Sequence, residues 1–163
     1  MAKAPKASRP NMPGYGLLPA DQGSGLKPWS YAVERIARAR GYWISTTCDD
    51  GRPHSVPIWG VWLRDQFAFS TGAQSRKAKN LARDPRVVIG AEPAGDAIVL
   101  EGIASLVVDP DWKREFARTY GAKYDYDMDT FDEPIYSVRL TRAFSFSSAP
   151  AEFTGGSTRW TFE

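Results

Sequence analysis

The chain has 163 residues, of which 42% are hydrophobic and 25% charged, a composition that suits one globular domain and excludes a largely disordered chain. Its 21 Lys and Arg side chains oppose 19 Asp and Glu, so the net charge of +2 is too small for a surface that binds nucleic acid nonspecifically. The chain has one cysteine, Cys48, and one histidine, His54, which excludes an internal disulfide and a metal site built from these residue types.

The first segment, residues 1–27, is rich in Pro, Gly and basic residues and predicts an extended, partly disordered arm. It lacks the apolar run of a signal peptide or membrane span, so we expect a cytoplasmic protein with no membrane partner. A helix is predicted next, with Ser30 as its N-cap, Val33 and Ile36 on its inner face, and Gly41 at its end.

From residue 42 onward the pattern changes to short strands rich in β-branched and aromatic residues. Strands are predicted at 42–48, 52–63, 66–71, 86–92, 97–108 and 135–146, and helices at 75–83 and 109–121. Because strands and helices do not alternate regularly, we expect a mainly β fold, an antiparallel barrel with short peripheral helices. The barrel domain would span residues 28–146, and residues 147–163 would form a tail that packs on the barrel or on a partner subunit.

The most informative stretch, residues 70–80, joins a strand to the start of a helix, where free backbone N–H groups favour an anion. The spacing divides this helix into an inner face of Ala78, Leu81 and Ala82 and an outer face of Arg76, Lys79, Asn80 and Arg83. In the first turn, Arg76 and Lys77 oppose the helix dipole by about 0.3 to 1 kcal/mol each. A bound phosphate would remove that conflict, although a solvated basic face is an equally good explanation.

A second candidate region, residues 56–62, contains Trp59, Trp62, Pro57 and Gly60 and predicts a flat apolar surface that suits a planar heterocycle. The two tryptophans are three residues apart, so they point to opposite faces of a regular strand and at least one should enter the core.

Other candidates are weaker. The acidic residues at 125–133 lack the glycine and glutamate of a calcium loop, and His54 is expected to be a hydrogen-bonded strand histidine. No residue pattern identifies a catalytic side chain or a metal site, so any chemistry would have to come from a cofactor.

Three stretches resemble the flavin and deazaflavin oxidoreductases related to pyridoxamine 5'-phosphate oxidase. They are Asp-Gly-Arg-Pro-His at 50–54, Val-Pro-Ile-Trp-Gly-Val-Trp at 56–62, and the segment at 75–87 that begins Ser-Arg-Lys. The Ser-Arg-Lys helix start is the specific part of this resemblance, which covers residues 28–146. It implies a split β-barrel homodimer that binds its cofactor between the subunits.

The resemblance also implies the roles of individual residues. Those expected at the cofactor phosphate are Ser75, Arg76 and Lys77, with Lys79 and Asn80 as support. Those expected along the isoalloxazine-type ring are Pro57, Ile58 and Trp59, while Ser70 and Thr71 would donate to its polar edge or to the linker. The residues expected at the subunit contact are Trp62, Trp160 and Phe162.

Two departures separate the chain from true pyridoxamine-phosphate oxidases. The second strand lacks the arginine that grips the FMN phosphate, and the Arg-Leu-x-Pro motif that receives the product is replaced by the ending at residues 158–163, Thr-Arg-Trp-Thr-Phe-Glu. The chain looks more like the branch that binds coenzyme F-420, a deazaflavin with an oligoglutamate tail. In that reading Lys79, Arg83 and the basic arm would meet the tail.

These features predict a reductase that binds F-420 and transfers hydride to a small conjugated or heterocyclic substrate. One alternative is an FMN-dependent oxidoreductase. Another is a non-catalytic flavin, deazaflavin or haem binding protein, in which His54 would be the haem ligand.

Overall fold

The computed structural model describes residues 4–163 and contains a sheet of nine antiparallel strands with four helices around it. The strands are β1 Lys6–Ser8, β2 Tyr42–Thr47, β3 Pro53–Ile58, β4 Val61–Leu63, β5 Gln66–Ser70, β6 Arg86–Ala91, β7 Asp96–Leu106, β8 Ile135–Ser147 and β9 Thr158–Thr161. The helices are α1 Trp29–Arg38, α2 Arg76–Arg83, α3 Pro110–Tyr124 and α4 Pro150–Gly156.

Strand β8 divides the sheet into two parts because it changes partner along one edge. Its first residues pair with β5, its later residues pair with β9, and β7 lies along its other edge throughout. Inward side chains from these strands and from β2, β3 and β6 meet in one apolar cluster, so the sheet is wrapped around its core. The predicted mainly β fold, a split antiparallel barrel with short helices at its periphery, is confirmed.

Strand β2 has the alternation expected for a half-buried strand. Tyr42, Ile44 and Thr46 are buried in the barrel, whereas Trp43 lies on the outer face and remains 47% exposed. The burial of this strand therefore alternates with a period of two, although its sequence, Tyr-Trp-Ile-Ser-Thr-Thr, does not.

The helix ends differ from those predicted. Helix α1 begins directly after Pro28 with no capping side chain, so Ser30 lies inside the helix, and Ala39 rather than Gly41 follows its last residue. Helix α3 begins as predicted, with the carboxylate of Asp109 accepting from the Trp112 amide at 2.7 Å. It continues beyond Gly121 to Tyr124 because its aromatic face keeps packing for another turn.

The arm contains structure that the sequence analysis does not predict. Strand β1 pairs with β9. The Arg9 guanidinium donates to five carbonyl oxygens, those of Leu18, Pro19, Gln22, Gly155 and Ser157. These contacts attach residues 9–22 to the end of the chain, while the boundaries at residues 27 and 146 remain predictions.

The expectation that Trp160 lies at a subunit contact is wrong. Trp160 is completely buried, and its indole nitrogen donates to the Lys27 carbonyl oxygen at 3.1 Å. Trp62, Trp160 and Phe162 all pack around Trp29. Trp62 and Phe162 are only partly buried against the core, so their place at a subunit contact stays a prediction. Between residues 4 and 163, no helix has the length and apolar character needed to cross a membrane.

Candidate functional site

The junction between β5 and α2 brings two predicted site residues into direct contact. Ser75 caps α2 by accepting a 3.1 Å hydrogen bond from the Ala78 amide, and its hydroxyl lies 3.0 Å from that of Thr71. No acceptor in the described residues takes the amide protons of Arg76 or Lys77, because these amides lie in the first turn. One hydroxyl proton is used in the Thr71–Ser75 contact, so one hydroxyl proton and two amide protons remain available to an anion.

The four cations of α2, which are Arg76, Lys77, Lys79 and Arg83, have no carboxylate partner anywhere in residues 4–163. Arg76 and Lys79 are exposed, whereas Lys77 is half-buried. Burial lowers the pKa of the Lys77 ammonium because desolvation disfavours its charged form. A bound anion would compensate for that desolvation.

A carboxylate limits the space for an anion on the opposite side of the loop before α2. Glu133 accepts a hydrogen bond of 3.2 Å from the Ala73 amide, which uses one donor of the loop and places a negative charge beside it. An anion is therefore better accommodated near Arg76 and Lys77 than near Gly72 and Ala73.

Ser70 differs from its predicted role. Its hydroxyl donates to the Pro134 carbonyl oxygen at 2.7 Å, so the proton expected to bind the cofactor is already used. Thr71 keeps its hydroxyl at the Ser75 contact and remains part of the junction.

Asn80 does not lie on the outer face of α2. It is only 3% exposed, and its amide nitrogen donates to the Thr46 hydroxyl at 2.9 Å and to the Cys48 sulfur at 3.8 Å. The buried side of α2 is centred on Ala78, Asn80 and Leu81, and Ala82 is exposed instead. The prediction that Asn80 lies on the outer face is therefore wrong, since it attaches α2 to β2, while its role as support for the phosphate stays a prediction.

The three residues predicted along the cofactor ring have separate environments. Ile58 is buried in the barrel core, and Pro57 lies exposed on the outer face opposite Trp43. Trp59 is 46% exposed, and its ring stacks on Tyr124 with centroids 4.6 Å apart and planes 3° apart. Among the described residues, no hydrogen bond, ion pair or ring contact connects these three to the α2 junction.

Sequence reasoning missed the aromatic cluster that surrounds Trp59. The ring centroids of Tyr120 and Tyr126 each lie 6.2 Å from that of Trp59, although both residues are far from Trp59 in sequence. The four-residue spacing of Trp112, Phe116 and Tyr120 predicts one helix face, but the predicted helix ends at residue 121, before Tyr124. Nothing in that spacing indicates that the face packs on Trp59.

His54 also differs from its prediction. Its Nδ1 atom is buried without a hydrogen-bond partner in the described residues, on the strand position opposite Thr46. The prediction that His54 is hydrogen-bonded is therefore wrong for its Nδ1 atom. Within residues 4–163, no group of three or more His, Cys, Asp or Glu side chains is arranged to hold a metal ion.

The outer face of the sheet carries an apolar surface. Trp43 is accompanied by Val88, which is 39% exposed, and by Pro57 on the neighbouring strand. A cavity of about 480 Å³ opens beside Trp43, whose indole nitrogen donates to Glu92 at 2.9 Å. Such a surface is typical of a contact with another molecule.

Comparison with solved structures identifies similar folds at low sequence identity. A conserved hypothetical protein, Rv2991, from Mycobacterium tuberculosis is 21% identical, with a TM-score of 0.68 over 76% of this chain and 87% of that chain. A protein described as an F420 reductase is 21% identical, with a TM-score of 0.57 over 68% and 93% of the two chains. A haem-binding protein from Mycobacterium smegmatis is 19% identical, with a TM-score of 0.60 over 72% and 53%.

No curated protein is similar enough in sequence to count as a match. The sequence nevertheless matches a family profile over residues 32–145, which is most of the chain and includes the barrel strands from β2 to β7, the α2 junction and nearly all of β8. The matched family is described as pyridoxamine 5'-phosphate oxidase, and the chain belongs to it.

Proposed function

We propose that this protein is an oxidoreductase that binds the deazaflavin coenzyme F-420 and transfers hydride to a small conjugated or heterocyclic substrate. The observation that carries the proposal is the β5–α2 junction, where the Ser75–Thr71 hydroxyl pair lies beside two free amides at the start of the helix that also carries Lys77. A phosphate satisfies all of these groups at once.

The residues at this junction would hold the cofactor phosphate. Ser75, Arg76 and Lys77 are the direct ligands in this proposal, and Thr71 supports Ser75 through their hydroxyl contact. Pro57 and Trp59 would contact the ring, and Ile58 would support them from the core. Bound F-420 supplies hydride chemistry, while the chain binds it, orients it and excludes water from the cleft.

The choice of F-420 over FMN rests on two supports. A similar solved structure is described as an F420 reductase, and the exposed Lys79 continues the line of cations beyond the proposed phosphate ligands. An oligoglutamate tail needs such cations, whereas FMN ends at its phosphate.

One observation favours FMN as a second candidate. Strand β1 of the arm pairs with β9, and no hydrogen bond or ion pair within residues 4–163 connects the arm to α2. Arg83 donates to the Thr47 carbonyl oxygen, so part of its hydrogen-bonding capacity is used within the chain. The cations available to a tail are therefore fewer than the sequence suggests.

We also propose a homodimer whose contact includes the outer face around Trp43 and Val88. These side chains are exposed, whereas Trp160 is part of the core and Trp62 and Phe162 are partly buried against it. A second copy of the chain would remove this apolar surface from water.

Separate titrations of the purified protein with F-420, FMN and haemin test the proposal. We expect micromolar or tighter binding of F-420, and oxidation of the reduced coenzyme when a conjugated substrate is added. Tight FMN binding without F-420 binding would replace the cofactor assignment. Haemin binding without any flavin or deazaflavin binding, or tight binding without turnover, would instead support a carrier like the similar haem-binding protein.

A further inference from the structure

The last turn of α3 binds the backbone at the break between β3 and β4. The Gly60 amide donates to the phenol oxygen of Tyr124 at 3.0 Å, and that phenol donates to the Gly60 carbonyl oxygen at 2.9 Å. The Lys123 ammonium donates to the same carbonyl oxygen at 2.9 Å. Both backbone polar groups of Gly60 are therefore satisfied by side chains of α3, because neither strand supplies a ladder partner.

Gly60 is required at this break by close packing. A Cβ atom at this position would lie 2.2 Å from Cζ of Phe67 and 3.0 Å from the Ala68 carbonyl oxygen, both on β5. Since Phe67 is completely buried, it cannot move aside without opening the core. The chain direction at residue 60 is thus fixed by β5 on one side and by α3 on the other.

The residue before this break is Trp59, which is exposed and is one of the residues proposed to contact the cofactor ring. One face of its indole is stacked on Tyr124, the residue that binds Gly60, so a single side chain contacts both the backbone and the ring.

In the described residues, the Lys123 ammonium has no carboxylate partner that would compensate for its desolvation. Its ammonium donates to the Tyr42 phenol oxygen at 2.8 Å and lies 5.0 Å from the centroid of that ring. The charged group that faces it is the Arg40 guanidinium, which donates to the Lys123 carbonyl oxygen, and the facing titratable groups are Tyr42 and Tyr124. Burial, with a smaller contribution from Arg40, lowers the pKa of Lys123 to about 8. The free-energy cost of desolvating this ammonium has to be offset by other interactions in the folded protein.

We propose that Lys123 and Tyr124 are positioning residues that hold the Trp59 ring in the orientation needed by the planar ring of the cofactor. This inference rests on the proposed function for the identity of the ligand, but the position of Trp59 can be measured without any ligand. Lys123 fixes the Gly60 carbonyl group, and Tyr124 fixes both that peptide unit and the face of the indole.

Fluorine NMR of protein labelled with 5-fluorotryptophan tests the positioning directly. The chain has six tryptophans, and Trp59→Phe identifies the resonance of Trp59. We expect Tyr124→Phe and Lys123→Met to shift and broaden this resonance, and Lys123→Arg to restore most of the wild-type signal. The matched controls are Tyr120→Phe, whose hydroxyl has no hydrogen-bond partner in the described residues, and Lys113→Met, an exposed lysine of the same helix. Both controls should leave the Trp59 resonance in place.

Cofactor titration of the same variants provides the second readout. The dissociation constant of whichever of F-420 or FMN binds the wild type should rise about tenfold in Tyr124→Phe and Lys123→Met, and stay within about twofold in the controls. Circular dichroism melts verify that each variant is folded.

The two readouts separate the failure of this inference from the failure of the proposed function. If the Trp59 resonance keeps its wild-type position and width in both Tyr124→Phe and Lys123→Met, the positioning role is wrong. A displaced resonance with unchanged affinity would also overturn it, because Trp59 would then not contact the ring. If the wild type binds neither cofactor, the proposed function fails. The inference that Trp59 is positioned for the cofactor ring then fails with it. The fluorine resonance would still report which residues hold Trp59.

Discussion

The amide of Asn80 on α2 donates a 2.9 Å hydrogen bond to the hydroxyl of Thr46 on β2, and both side chains are buried. This contact attaches the helix that carries the proposed phosphate ligands to the barrel wall. Asn80 thus acts on the site from inside the protein, through the placement of α2.

Replacement of Asn80 by Ala should therefore reduce stability. We expect a loss of about 1 to 3 kcal/mol in the free energy of unfolding, because the Thr46 hydroxyl is left buried without its donor. Urea denaturation measures this change. Lys79→Ala, at the exposed neighbouring position, is the control and should change stability by less than about 0.5 kcal/mol. Equal stability of the two variants would contradict the structural role of Asn80.

Neutralising either cation in the first turn of α2 should weaken cofactor binding while the fold survives. We expect Arg76→Ala or Lys77→Ala to cost about 1.5 to 3 kcal/mol of binding free energy, the range for a hydrogen bond to a charged group. Fluorescence titration with F-420 and FMN measures it, and Arg118→Ala, an exposed arginine on α3, serves as the control. Wild-type affinity in both α2 variants would mean that the phosphate binds elsewhere.

Salt should distinguish the two candidate cofactors. The carboxylates of an oligoglutamate tail contact exposed cations at about 0.2 to 1 kcal/mol each, and salt screens them over about 8 to 10 Å. Lys79→Ala should therefore lower F-420 affinity at low salt, with a smaller effect at high salt, and leave FMN affinity nearly unchanged. Titrations at two salt concentrations decide the matter. If FMN binds more tightly throughout and Lys79 has no effect, the deazaflavin assignment is wrong.

Truncation of the arm and Arg83→Ala are less suitable for that question. Deleting residues 1–27 removes β1 and Arg9, and Arg83→Ala removes a hydrogen bond to the Thr47 carbonyl oxygen. Both changes should lower stability, and any loss of affinity would then have two causes. Lys79 has no such contact and gives the clearer comparison.

Lys123 should make stability depend on pH in the alkaline range. Its pKa is about 8 in the folded protein, below its ordinary value of 10.5, so between these values the unfolded chain holds a proton that the folded chain has lost. The contribution of Lys123 to the free energy of unfolding therefore rises as the pH increases from about 8 to 10.5. This contribution is lost as the pH falls through 8. We expect the difference in unfolding free energy between wild type and Lys123→Met to change across this window. A difference that is constant from pH 7 to pH 10 would contradict the low pKa.

A charge on the outer face of the sheet should break the proposed homodimer. Val88→Asp places a carboxylate beside Trp43, where a second copy would have to desolvate it. Sedimentation at micromolar concentration should then detect a monomer, while wild type and Val108→Asp, a substitution at an exposed valine elsewhere, remain dimeric. A wild-type monomer with cofactor bound would refute the dimer.

The sequence predicts the parts of the site that depend on neighbouring residues. Ser75 at a strand-to-helix junction is enough to place the cap of α2, because capping involves residues only three positions apart. The run of aromatic and β-branched residues that begins at Tyr42 likewise predicts strand β2.

Contacts between distant segments could not be obtained in the same way. Asn80 looks like a solvent residue until α2 is placed on β2, and Tyr124 looks like ordinary packing until it reaches Gly60, 64 positions away. Strand β1 is three residues long and has no alternation of its own, so only its pairing with β9 defines it.

The contacts of Arg9 have a consequence for the order in which the protein is assembled on the ribosome. Arg9 and the carbonyl group of Ser157 are 148 residues apart, so the arm emerges early and has to wait for partners that are synthesised near the end. Because contacts of such long separation form late, β2, β3, β6 and β7 can pair before β1 has an edge to join. The arm is therefore exposed to proteases and chaperones throughout synthesis, and its attachment marks the completion of the sheet.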